Sequence, residues 1–308
     1  MIANYHTHTH RCNHAIGREE EYVQEALKAG LQILGWADHT PYLFPGGYYS
    51  HFRMRPVQLP GYIQTIQELQ RRYAGQIEMP IGLETEYYPK HFGNLIEFLR
   101  DHPIDYLILG QHFIGNEYDA PYSGLVTDDR DVVKQYCRQS MEAMNTGLFT
   151  YFAHPDLIHY AGDRRFYQET VRPMCAEAKK CGMPLEINLL GIREGRHYPN
   201  RYFWEMAAEE GCQVILGCDA HSPDYLSDRS KHKAAKDYAE SFGIRVMEKL
   251  PFMATEKILM YCVKNKGGDR QKLHEAIRKH SVMAAEQVKL YGKENDLIER
   301  IKEDEVFH

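Results

Sequence analysis

The amino-acid sequence predicts an α/β fold: seven strand–helix units arranged as a TIM-like barrel, followed by a helical appendage. Three observations carry this prediction. Short apolar runs alternate with longer segments of helical periodicity, and alternating β and α units imply a parallel sheet. Successive runs lie about a strand plus a crossover helix apart. Nearly every run leads into a histidine or a carboxylate, as expected where strand ends converge on one mouth. Seven such units favour a barrel, with an open doubly wound sheet as the alternative. A chain of 308 residues accommodates the barrel as one large domain.

The first strand is expected at Ile2–Tyr5. The helix after it, Arg18–Ala29, opens on Glu19, Glu20 and Glu21 and stops at Gly30. Acidic side chains complement the positive end of a helix, and glycine accepts the left-handed conformation of a C-cap. Strands two to four are expected at Ile33–Trp36, Ile77–Leu83 and Tyr106–Leu109. Val132–Met144 puts Val132, Val133, Tyr136, Cys137, Ser140 and Met144 on one helical face. Strand five is expected at Thr150–Ala153, strand six at Pro184–Ile187 and strand seven at Val214–Gly217. Helices Tyr167–Cys181 and Tyr202–Glu210 precede the last two, each ending before a glycine. Residues 1–252 form the expected barrel. From Met253 strand signals fade, and residues 253–308 read as one or two helices packed on it.

Composition narrows the function. Apolar residues at 43% suffice for a sizeable core, and a net charge of −6 disfavours nucleic acid or an anionic membrane as partner. No apolar run reaches the roughly 18 residues of a membrane span, and no secretion signal opens the chain. The seven cysteines lack C-x-x-C spacing and read as thiols in a reducing cytoplasm.

The polar residues after each strand carry the chemistry. Strand one runs into His6 and His8, which alternation puts on one face. The others end in Asp38 and His39, Glu84 and Glu86, His112, His154 and Asp156, Glu186 and Asn188, and Asp219 and His221. Imidazole and carboxylate are the ligands of divalent Zn, Mn and Fe. A lone histidine at a strand end is more often a packed residue, but that reading would have to recur at six of the seven strands. So many donors exceed one ion's coordination and imply two or three, with a carboxylate as bridge.

The stretches "YHTHTHRCNHA" (Tyr5–Ala15), "ADH" (Ala37–His39), "FRM" (Phe52–Met54) and "GLETEYYP" (Gly82–Pro89) recur in one known family, in this order. So do "DYLILGQHFI" (Asp105–Ile114), "AHPDL" (Ala153–Leu157), "EINLLGIREGRHYP" (Glu186–Pro199) and "GCDAH" (Gly217–His221). The chain resembles the PHP family, of polymerase and histidinol phosphatase, and most closely its monofunctional histidinol-phosphate phosphatases. The resemblance implies a distorted (β/α)7 barrel and a phosphoric monoester hydrolase acting on L-histidinol phosphate in histidine biosynthesis. It implies one metal on His6, His8, Glu84 and Asp219. Glu84 bridges to a second on His112 and His154, and His14, His39 and His221 hold a third. A hydroxide between two metals would attack phosphorus. Glu84 and Asp219 are the catalytic carboxylates, with Asp38 expected to orient a ligand; His10 has no counterpart.

The substrate contacts follow from the same resemblance. Arg193 matches a phosphate-reaching arginine, whose planar fork can hold two oxygens. Arg53 and Arg55 lie in the loop after strand two, where they are expected to cap the pocket. The phosphatase branch carries a basic residue after H-x-D-L; here His159 and Tyr160 stand there, with Arg164 and Arg165 later. Either His159 or a later arginine substitutes, or the phosphate subsite differs. The main alternative is another small phosphate ester, or a phosphodiester or nucleotide, as substrate. Amidohydrolase chemistry is disfavoured because no strand ends in the lysine those barrels use to bridge metals. A non-catalytic barrel should have lost ligands, and all nine positions are filled.

Overall fold

A computed structural model describes residues 1–250, 272–273, 275–277, 279–280, 283 and 296–307. It divides into two compact units, Met1–Lys249 and Leu250–His308.

The first unit is an α/β fold in which every strand pairing is parallel. Its strands are β1 (Ala3–Asn4), β2 (Ile33–Leu34), β3 (Trp36–His39), β4 (Ile81–Thr85), β5 (Tyr106–Leu109), β6 (Leu185–Asn188), β7 (Val214–Gly217) and β8 (Val246–Met247). They form three small sheets, β1-β2, β3-β4-β5 and β6-β7-β8, rather than one continuous ladder. Isolated parallel bridges run between strand regions: Ile33 with Glu78, Leu109 with Phe152, Phe152 with Leu185, and Thr7 with Ala220.

Local chemistry explains the departures from the expected strands. The second expected strand breaks into β2 and β3 at Gly35, where a Cβ would meet the Tyr5 backbone at 2.9 Å and glycine alone allows the approach. The third begins only at Ile81, after Pro80, which has no N–H to give a ladder. Thr150–Ala153 is not a strand. It makes single bridges to both neighbours and then turns at His154, whose φ is 32°. β8 was not anticipated; its two residues are half-buried.

The helices lie between the strands. Helix α1 (Glu19–Ala29) ends on Gly30 in the left-handed conformation, as its sequence predicts. Helices α2 (Leu59–Arg72) and α3 (Phe92–Leu99) follow, then α4 (Arg130–Asn145) and α5 (Arg164–Cys181), capped by Asp129 and Asp163. Helix α6 (Leu189–Glu194) starts directly from β6, with Asn188 accepting from the Gly191 N–H. Helices α7 (Arg201–Glu210) and α8 (Arg229–Glu240) complete the unit. Trp36, Phe152, Phe203 and Trp204 are completely buried in its core.

In the second unit, Leu273, Ile277, Leu297, Ile301 and Phe307 form a small apolar cluster. A helix spans Leu297–Glu303, and His280 Nε2 lies 2.7 Å from Asp304 Oδ2. Residues 253–271 and 284–295 of the expected helical appendage lie outside the described residues. No described helix is long and apolar enough to cross a membrane.

Candidate active site

The C-terminal ends of the strands bring the expected histidines together around Glu84. This residue sits on β4 with His39 beside it in register on β3. Its Oε1 lies 2.8 Å from His154 Nε2 and 3.6 Å from His112 Nε2. Its Oε2 lies 3.1 Å from His39 Nδ1 and 3.6 Å from the Nε2 atoms of both His6 and His8. Asp219 Oδ1 closes on the same two imidazoles, at 3.4 Å from His6 and 3.0 Å from His8. The rings of His8, His14 and His221 stack, with His14 and His221 centroids 4.5 Å apart. His10 stays at the surface beside Glu19.

The backbone is shaped for this convergence. His154 and Asp219 both have positive φ, 32° and 49°, an arrangement non-glycine residues rarely adopt. Such conformations cost about 1–3 kcal/mol each and concentrate at functional sites. Two glycines make room for the carboxylates: a Cβ on Gly110 would collide with Glu84 Oε1, and one on Gly217 with Glu186 Oε1.

A further ring of acceptors fixes the imidazoles, and most of it escaped the sequence reading. His6 Nδ1 donates to Glu186 Oε1 at 2.9 Å and His112 Nδ1 to Glu86 Oε1 at 2.8 Å. His14 and His221 donate through Nδ1 to the carbonyls of Cys12 and Asp219. In each of these four, Nε2 is left to act as a ligand. Asn188 Nδ2 ties Glu186 to Asp219, at 3.0 and 3.1 Å. The sequence signal was the carboxylate two residues after Glu84 in "LETE" and the "EIN" after strand six, whose partners depend on the tertiary fold.

The electrostatics suit divalent cations. Burial pushes the Glu84 carboxyl up, but His112, His39, His6 and the bond from His154 outweigh it and hold it well below the usual carboxylate range. Asp219 is held low against burial by His6, His8 and His221. Burial, reinforced by neighbouring imidazoles, drives His39 and His221 well below the ordinary histidine value. His6 Nε2, His8 Nε2, His39 Nδ1, His221 Nε2 and Glu84 Oε2 are buried without a hydrogen-bond partner. Orphaned groups cost about 1–3 kcal/mol each, so a cluster of them calls for a ligand. The donor set fits divalent metals: His6–His8–Asp219, His6–Glu84–His154 and His14–His39–His221 each bring three ligand atoms within 4.8 Å.

Several expected substrate contacts lie elsewhere. The cluster opens into a cavity of about 480 Å³ with Phe52, Phe113, Tyr122, Leu190, Glu194, Arg196 and Tyr198 on its walls. Arg193 is not on the lining. Its guanidinium pairs with Asp228 at 2.7 Å and lies over the Tyr225 ring, while Arg196, three residues on, faces the cavity. Arg53 does not cap the mouth. It is 1% exposed, and its nitrogens bond Glu86, Glu117 and the Thr40 carbonyl. It thereby steadies the carboxylate that holds His112. His159 stacks on His197 at 4.0 Å, off the lining. Asp38 lies behind the cluster, accepting from the backbone of Thr9 and His39 with Oδ1 3.6 Å from His8 Nδ1.

The PHP domain family matches residues 4–189, and the C-terminal domain family of adenylosuccinate lyase matches residues 251–308. A probable histidinol-phosphatase of Deinococcus radiodurans is 32% identical over 238 residues, covering 74% of this chain and 89% of that protein. The adenylosuccinate lyase of Saccharomyces cerevisiae is 56% identical over 70 residues, which are 23% of this chain and 14% of the lyase. Among solved structures, the histidinol phosphate phosphatase of Lactococcus lactis, complexed with zinc, L-histidinol and phosphate, superposes with a TM-score of 0.63 at 22% identity. It covers 82% of this chain and 97% of its own. With most of its length matched by that family and by a relative at 32% identity, the chain belongs to the PHP domain family.

Proposed function

We propose that the chain is a metal-dependent phosphomonoesterase that hydrolyses L-histidinol phosphate to L-histidinol and phosphate. One observation carries this reading: a buried carboxylate, Glu84, ringed by imidazoles with unpartnered nitrogens, at the base of a cavity that presents Arg196. The histidinol-phosphatase names of relatives across most of the chain support the substrate.

His6, His8, Glu84 and Asp219 would hold one ion, Glu84, His112 and His154 a second, and His14, His39 and His221 a third, with Zn, Fe or Mn all suited to the donors. Bound ions would supply an activated water near neutral pH and neutralise phosphate charge. The chain's own residues do the rest. Glu186 and Glu86 hold His6 and His112 in one orientation. Arg196 reaches phosphate oxygens from the wall, its Nη1 steadied by Tyr198 Oη at 2.7 Å. The aromatic wall of Phe52, Phe113 and Tyr122 excludes water and packs against the substrate ring.

The strands read as a distorted (β/α)7 barrel, supported by the Leu109–Phe152, Phe152–Leu185 and Thr7–Ala220 bridges. Residues 253–308 are assigned no catalytic part, since every residue of the strand-end cluster lies in the first unit. A cytoplasmic location suits the six described cysteines, all free thiols.

Phosphate release from L-histidinol phosphate by the metal-reconstituted protein, against other phosphomonoesters and one phosphodiester, tests the reading. A kcat/KM of about 10⁴ M⁻¹s⁻¹ or more, well above the others, is expected. Better turnover of another ester would reassign the substrate. Turnover of none would remove the enzymatic reading.

A further inference from the structure

Glu194 ends α6 and lines the cavity with Arg196. On the described lining there are three carboxylates, and the other two, Glu84 and Asp219, belong to the strand-end cluster. The metal centre makes no use of Glu194. Its Oε2 accepts from Arg196 Nε at 2.6 Å, while Arg196 Nη1 is engaged by Tyr198. Both side chains are more than a third exposed, at 40% and 37%. The cavity wall therefore carries a neutral, hydrated pair of opposite charges beside a centre suited to phosphate.

An anion-binding wall has no need of a carboxylate, which repels phosphate. The pair is well matched, however, to a ligand that carries both charges. A phosphate ester of a 2-amino alcohol has its ammonium three bonds from the ester oxygen, so its two charges lie side by side. Laid against Glu194 and Arg196, it satisfies phosphate with guanidinium and ammonium with carboxylate at once. Separating the pair to admit it costs little, because an exposed ion pair contributes little. An ester without the ammonium would draw Arg196 to phosphate and leave Glu194 with no cation, and a site discriminates through such unpaired charges.

We propose that Glu194 is a specificity residue that receives a cationic nitrogen on the alcohol part of the substrate, so that the cavity selects amino-alkyl phosphates. This rests on the phosphomonoesterase reading above.

The test compares wild type, Glu194→Gln and Glu194→Asp on L-histidinol phosphate and on 3-(imidazol-4-yl)propyl phosphate, its analogue without the amine. Metal content and Tm are measured in parallel. Glu194→Gln should lower kcat/KM for the amine substrate by ~10–100-fold more than for the analogue, chiefly through KM, as expected for losing a charged hydrogen bond. Glu194→Asp should restore part of the difference. Equal losses on the two esters would overturn the proposal, leaving Glu194 as a prop for Arg196 while the phosphatase reading stands. Unchanged kinetics in Glu194→Gln would overturn it as well. A wild type that turns over neither ester would bring down the phosphatase reading and this proposal with it.

Discussion

The strand-end cluster and the loop wall that faces it across the cavity are held in different ways. His6, His8 and Glu84 are at most 1% exposed; Glu84 sits in the β3–β4 ladder, and the two histidines flank Thr7, which bridges to Ala220. Glu194 and Arg196 lie at the end of a six-residue helix and just beyond it, each more than a third exposed. Behind the cluster stands a second layer of buried acids: Glu186, Glu86 and Asp38. On the wall, Tyr198 Oη engages Arg196 Nη1. The difference matches the proposed tasks. Metal ligands must be rigid to within a fraction of an ångström, whereas a wall that admits substrate must exchange its partners.

The largest expected effect is at the centre. Glu84→Ala removes the ligand proposed to be shared by two ions and His6→Ala a ligand of one of them, and each should lower kcat by at least ~10³-fold together with bound metal. Wild-type turnover with normal metal content in either variant would mean that the cluster is structural. Next comes the backing layer. Glu186→Gln and Glu86→Gln should each cost ~10–100-fold in metal affinity or activity, measured by competition with a chelator. Arg53→Met should resemble Glu86→Gln, because Arg53 bonds the carboxylate that holds His112. An effect confined to Tm would break the distinction between backing layer and scaffold.

On the wall, Arg196→Ala should raise KM for a phosphomonoester by ~10-fold or more, from the loss of a charge-assisted contact, with metal content unchanged. Arg193→Ala should leave KM within ~2-fold, as a half-exposed pair contributes little. If the two variants trade places, the wall has been assigned to the wrong arginine.

The smallest effect concerns an imidazole outside both regions. His232, beside Cys218 Sγ at 3.7 Å, is pushed down to about 4 by burial and then by the N-terminal amine. The unfolded chain, with an ordinary value near 6.5, binds more protons between these limits. Stability from this group is therefore complete above about pH 6.5 and is lost as the pH falls toward 4. His232→Asn should flatten the dependence of Tm on pH in that window; an unchanged slope would assign the effect to other groups.

The sequence alone determined the α/β class and the convergence of His6, His8, His39, Glu84, His112, His154, Asp219 and His221. Strand alternation and the shared direction of parallel strands are local rules, so residues following seven apolar runs must meet. It also placed α1 and its glycine cap correctly. It missed the failure of Thr150–Ala153 to form a strand, which depends on the turn forced at His154. Beyond Met253 it raised only an expectation of helices, because periodicity cannot reveal that a segment resembles part of a lyase. The tertiary structure alone decided which arginine faces the cavity. Arg193 and Arg196 are three residues apart, but a helix ends at Glu194 and the chain reverses at Gly195, so the side chains part company. It also turned Arg53 from an expected lid into a buried support. Its acids, Glu86 and Glu117, come from two other loops, and only the folded chain brings three charges of such separate origin into one hydrogen-bonded group.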